Sequence, residues 1–155
     1  MSLSNFTSVR LSKELLKLQS EKEKMEGIII ETPEDLSIWK ARIEGPKLTP
    51  YENGIYEMRI KFDSDYPIKP PSVKFITPMY HPNIYRDGQI CVDILQNHEW
   101  SPVQNVRTIL ISIISLLMDP NPLSPANREA AELYLKDKQQ YEKKVREFVE
   151  KQMSK

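Results

Sequence analysis

Apolar residues recur along this chain with two different periods. From about Phe6 to Lys24 the spacing is helical: Leu11, Leu15 and Leu18 share one face, while Arg10, Lys13 and Lys17 follow the same period on another. This predicts an amphipathic first helix. The period then shortens to two. A "GIII" run over Gly27 to Ile30 is followed by "IWKARIEG", where Trp39, Ala41 and Ile43 alternate with polar neighbours. Next come "IYEMRIKF", with Tyr56, Met58, Ile60 and Phe62 in every second place, and "SVKFI", with Val73 and Phe75. Four strands in succession, joined by turn-forming stretches such as "EGPKLTP" and "YENG", predict an antiparallel meander.

Helical spacing returns over Asn105 to Met118, where Val106, Ile109, Leu110, Ile113 and Leu117 form a core stripe and Thr108, Ile111, Ser112 and Ser115 look outward. It returns again from about Pro125 to Gln152, with a break near Lys136 to Lys138. In "LSPANREAAELY", Ser124 reads as an N-cap and Pro125 as the first helical position. Between sheet and helices, the proline-rich stretch from Tyr66 to about Trp100 has little regular period. It carries Tyr80, Ile84, Tyr85, Ile90, Val92, Ile94, Leu95 and Trp100, too much apolar surface for disorder, so an ordered loop packed on the domain is expected. The class is α+β: a helix, a four-stranded antiparallel meander, a long irregular loop and three further helices, in a single domain over residues 1–155.

Composition narrows the field of partners. A chain of 155 residues buries roughly 70% of the surface its unfolded form exposes, enough for a core without staples. With 22 Lys+Arg against 22 Asp+Glu the balance points to neither nucleic acid nor a membrane surface. A single cysteine forms no internal disulfide, and with only two histidines it has no cluster of soft ligands for a metal. The N-terminal stretch lacks a continuous apolar run of signal-peptide length, and "ILISIISLLM" is too short to span a bilayer. A soluble protein of the cytoplasm, the nucleus or both is expected.

The candidate chemistry centres on "MYHPNIYRDGQICVDIL", which holds Cys91 and His81. An unpaired cysteine is most often a buried small hydrophobe. Here, however, an Asp87-Gly88 turn precedes it, and glycine permits a positive φ that aims the following residues outward. A cysteine hydrolase with His81 or His98 as base fits poorly. Its nucleophile needs an electropositive setting, whereas the nearest ionic neighbours include the carboxylates Asp87 and Asp93. His81, between Tyr80 and Pro82, reads better as an imidazole bonded to backbone. A modestly reactive thiol suits acyl exchange instead: it accepts an acyl group from another thioester and passes it to an amine, with no hydrolytic base.

"HPNIYRDGQICVDIL", followed by Trp100-Ser101-Pro102 and "DPNPLSPANREAAELY", and preceded by "GPKLTPYENGIYEMRIKFDSDYPIKPPSVKF", closely resembles the ubiquitin-conjugating enzymes over almost the whole chain. The resemblance implies that Cys91 takes ubiquitin from an activating enzyme as a thioester and, with a ligase, passes it to a substrate lysine, without metal or organic cofactor. Asn83 matches the family's catalytic asparagine, either donating to the oxyanion of aminolysis or pinning the loop. Ser124 falls where many relatives carry aspartate at the gate of the incoming lysine. Arg10, Lys13 and Lys17 match the face that meets the activating enzyme. Ile68, Pro102 and Val103 match two ligase-docking loops, and Ile111 with Ser115 a dock for the thioester-linked ubiquitin. One departure is an extra residue between Cys91 and Trp100, around "QNHEW", which a surface loop tolerates at little cost and which bears on ligase choice. The alternatives are a non-catalytic ubiquitin-binding scaffold and a carrier for another ubiquitin-like modifier.

Overall fold

The alternating positions pair as a period of two requires. In the computed structural model, which describes residues 2–96 and 98–154, β1 (Ile28–Ile30), β2 (Ile38–Glu44), β3 (Ile55–Lys61) and β4 (Ser72–Phe75) form one antiparallel sheet in the order β1-β2-β3-β4. The register sets Trp39 opposite Ile60, Ala41 opposite Met58 and Ile43 opposite Tyr56, with Val73 and Phe75 continuing the same face across from Ile60 and Met58. All of these side chains are buried. A slip of one residue would turn them to water and bring Lys40, Arg42 and Arg59 inside, so burial fixes the pairing.

Four helices accompany the sheet among the described residues. They are α1 (Asn5–Gln19), α2 (Val106–Met118), α3 (Arg128–Lys136) and α4 (Lys138–Met153). Leu11, Leu15 and Leu18 of α1, the whole predicted stripe of α2, and Tyr141, Val145 and Val149 of α4 join the sheet in one core. Asn105 starts α2 with a capping box: its side chain accepts from the Thr108 amide, while the Thr108 hydroxyl accepts from the Asn105 amide. Asp137 serves both as the end of α3 and the N-cap of α4, which is the expected break.

Two helix boundaries differ from the sequence expectation. Helix α1 stops at Gln19 rather than near Lys24, because Glu21 and Lys22 offer nothing to bury and the Ser20 hydroxyl bonds back to the Lys17 carbonyl. Helix α3 begins at Arg128 with Asn127 as its N-cap, so Ser124 is not a cap and Pro125 is not helical. The amides of Ala126 and Asn127 instead both donate to the Pro82 carbonyl, at 2.7 and 2.9 Å. The irregular stretch from Tyr66 to Trp100 is packed as expected at Tyr80, Ile84, Ile90 and Trp100, although Tyr85 is exposed. Asn97, within the lengthened "QNHEW" stretch, lies outside the described residues.

Candidate active site

Cys91 closes a small hairpin. The Gly88 amide donates to the Tyr85 carbonyl, the Tyr85 amide to Gln89, and the Cys91 amide to the Asn83 carbonyl at 2.8 Å. The Asp87 side chain accepts from the Gln89 amide and its amide side chain, locking the turn. Gly88 has φ +93°, and a Cβ there would stand 1.9 Å from the Phe75 carbonyl oxygen. Glycine is thus required both for the turn and for docking the hairpin on β4, where the Phe75 amide donates to the Gly88 carbonyl. The outcome is a half-buried thiol at the rim of an open cleft of about 440 Å³.

His81 cannot serve that thiol as a base. The ring is fully buried, its Nε2–H donates to the Leu116 carbonyl at 2.7 Å, and its Nδ1 accepts from the Asn83 amide at 2.9 Å. Desolvation lowers its pKa to about 4, against a smaller upward pull from the Leu116 carbonyl. Both nitrogens are engaged and the ring stays neutral. Behind it, the Tyr51 hydroxyl, from the connection between β2 and β3, donates to the Tyr80 carbonyl at 2.6 Å, so the start of the segment is held there as well as through the imidazole on α2.

Asn83 joins the hairpin to the segment that precedes α3. Its side-chain amide is buried, donates to the Asn121 carbonyl at 2.7 Å and to the Ser124 carbonyl at 3.3 Å, and accepts from the Asn121 amide at 2.9 Å. The Cys91 thiol lies 3.8 Å from that same Ser124 carbonyl. Ser124 therefore meets the thiol through its backbone. Its side chain is exposed at the cleft edge. Asp93 and Glu99 line the same cleft and bring carboxylates to it.

The remaining sequence candidates lie on three exposed surfaces. Lys13 and Lys17 are exposed on α1, but Arg10 is turned inward: its guanidinium donates to Glu14 Oε2 at 2.9 Å and to the carbonyls of Gln104 and Pro102 at 2.8 and 3.3 Å. Ile68 and Val103 are strongly exposed, and the Trp100 indole N–H donates to the Pro67 carbonyl at 2.8 Å, binding their two loops together. Ile111 and Ser115 are exposed on α2, and Ser112 of that helix faces the cleft. Sequence reasoning missed Glu14, whose place four residues after Arg10 on an otherwise basic face was the available signal. It also missed Asn127, an N-cap type directly before the "REAAELY" period.

A family model described as ubiquitin-conjugating enzyme matches residues 10–149. The chain is 55% identical over 119 residues to "Ubiquitin-conjugating enzyme E2 2" of Candida glabrata, a match covering 77% of this chain and 71% of that protein. To the protein of the same name from Saccharomyces cerevisiae it is 54% identical over 119 residues, 77% of this chain and 69% of that one. To "Ubiquitin-conjugating enzyme E2 3" of Arabidopsis thaliana it is 53% identical over 120 residues, covering 76% and 79%.

Proposed function

The chain belongs to the ubiquitin-conjugating enzyme family and is a transferase that carries ubiquitin, and from that premise we propose that Cys91 is the point of attachment. In the first step the Cys91 sulfur attacks the thioester carbonyl joining ubiquitin's terminal glycine to an activating enzyme. A new C–S bond forms, the old one breaks, the activating enzyme's thiolate leaves with the electron pair, and the proton lost by the Cys91 thiol passes to that thiolate or to solvent. In the second step a neutral lysine amine attacks the same carbon, the bond to Cys91 breaks, and the amine's proton passes to the departing sulfur or to solvent. Both steps balance with thiol, thioester and amine alone.

The observation that carries this reading is the pairing of an accessible thiol with a histidine whose two nitrogens are already bonded to backbone. With the His81 imidazole committed to backbone and unable to activate water, a thioester at Cys91 is spared that route to hydrolysis. Asn83 acts by tying down the segment from Asn121 to Ser124, whose Ser124 carbonyl lies beside the thiol. Its longer contact, to Ser124, is the one an oxyanion would compete for. Lys13 and Lys17 present charge to the activating enzyme, Ile68, Pro102 and Val103 dock the ligase, and Ile111 with Ser115 receive the carried ubiquitin. Ser124 lacks the carboxylate many relatives place at this gate. A lone thiol that needs no disulfide fits work in the cytoplasm or nucleus.

The test is incubation with a ubiquitin-activating enzyme, ATP and ubiquitin, read on a non-reducing gel. A reductant-sensitive adduct that disappears in Cys91→Ala is expected. An adduct that persists in that variant contradicts the assignment.

A further inference from the structure

The inward turn of Arg10 brings together groups far apart in sequence. Glu14 Oε2 accepts from Arg10 Nε at 2.9 Å and from the Tyr66 hydroxyl at 2.5 Å. Its other oxygen accepts from the Val106 amide, in the first turn of α2, at 2.8 Å. Arg10 in turn reaches the carbonyls of Pro102 and Gln104 and lies over the Tyr66 ring, 5.8 Å from its centroid. The Thr7 hydroxyl, one turn earlier on α1, donates to the Tyr66 carbonyl at 2.7 Å. Both exposed loops are therefore held from one helix face: the segment after Tyr66 that carries Ile68, and the segment from Ser101 to Gln104 that carries Val103.

We propose that Arg10 and Glu14 are positioning residues for ligase recruitment, fixing the two docking loops relative to each other so that Ile68 and Val103 are presented as one surface. This rests on the reading that those loops dock the ligase. The physical argument is one of preorganisation. The guanidinium, through Nε and one terminal nitrogen, and a half-buried carboxylate cap groups that the loops do not satisfy themselves: among the described residues no backbone amide donates to the carbonyls of Pro102 and Gln104. A loop that must be ordered at the moment of binding weakens the complex by the entropy of ordering it, and a loop already held does not. Charged hydrogen bonds of this kind suit the role, since lysine at position 10 offers a single ammonium where the geometry uses a planar fork.

The test compares discharge of the charged protein onto free lysine with and without a recombinant RING domain chosen beforehand because it accelerates the unaltered chain. The variants are Glu14→Gln, Arg10→Lys, Val103→Ala, and the double variant Glu14→Gln with Val103→Ala. Glu14→Gln is expected to lower RING-stimulated discharge about tenfold and to speed hydrogen exchange at the Gln104 and Val106 amides, while unstimulated discharge is retained. Arg10→Lys falls between Glu14→Gln and the unaltered chain. Because positioning and anchor act through one surface, the double variant is expected to be little worse than Val103→Ala alone. If Val103→Ala impairs stimulation and Glu14→Gln does not, the positioning role is overturned while the docking surface stands. If Val103→Ala has no effect, the docking reading fails and the proposal falls with it. Equal loss of stimulated and unstimulated discharge in Glu14→Gln would show a general structural role and overturn the proposal.

Discussion

Between β2 and β3, seven residue pairs align, and the inward ones, Trp39, Ala41 and Ile43 opposite Ile60, Met58 and Tyr56, are buried side chains. Between the hairpin of Cys91 and the segment before α3 nothing alternates. There the Pro82 carbonyl takes the amides of Ala126 and Asn127, and the Asn83 side chain takes the backbone of Asn121 and Ser124. The first region is held by apolar area spread over many residues, each worth up to ~3 kcal/mol when fully buried. The second is held by a few hydrogen bonds, each worth ~1 kcal/mol net but costing more when a buried partner is left unsatisfied. One region makes the molecule fold, and the other holds a half-buried thiol at a cleft rim beside the Ser124 carbonyl. The difference predicts that damage to each will be read by a different instrument.

The largest expected effect is on stability alone. Ile60→Ala, in the centre of β3 and fully buried, removes core volume and is expected to lower unfolding free energy by about 2–5 kcal/mol. Charging per folded molecule should stay unchanged, as denaturant titration beside a charging assay would show. Asn83→Ala should give the converse. Charging continues, discharge onto lysine slows about 10²-fold, and the stability loss stays within about 1–3 kcal/mol. Loss of charging and discharge in equal measure would erase the distinction between the two regions.

A pH series sharpens it further. Burial holds His81 near 4 when folded, against 6.5 as an ordinary histidine, so the unfolded chain binds the extra proton first. The contribution of neutral His81 is complete above pH 6.5 and is lost as pH falls toward 4, by about 2 kcal/mol between pH 7 and pH 5. Denaturant midpoints for the unaltered chain should shift accordingly, and His81→Gln should lose that part of the slope. The smallest effect is expected at Ser124→Ala. Since the Ser124 carbonyl, rather than its hydroxyl, meets Asn83 and Cys91, discharge should change less than about threefold. A change of the size seen at Asn83 would assign the hydroxyl a part in the reaction.

What could be read in the sequence follows the same division. The strands, the stripe on α2 and the break at Asp137 are local patterns, visible because burial imposes a period of 2 or 3.6 residues. The outward aim of Cys91 was legible for a related reason: the Asp87-Gly88 turn acts within a few residues. Ser124 as an N-cap was misread because the competing partner, the Pro82 carbonyl, is more than forty residues away, where no spacing rule reaches. Arg10 looked like one of three equivalent basic residues because the carbonyls that engage it are 92 and 94 positions distant. The resemblance to the ubiquitin-conjugating enzymes supplied what local pattern could not, namely that Asn83 and Cys91 belong to one site. The geometry then added that Asn83 is bonded to the segment of Ser124.

The central claim is that acyl transfer runs through the sulfur of Cys91, and replacing that atom tests it most directly. Cys91→Ser, charged with activating enzyme, ATP and ubiquitin and then digested for mass spectrometry, is expected to carry ubiquitin's terminal glycine as an ester on residue 91. That adduct should resist reductant and be cleaved by hydroxylamine. Ubiquitin mapped to a lysine or to any other side chain, with residue 91 unmodified, would contradict the account.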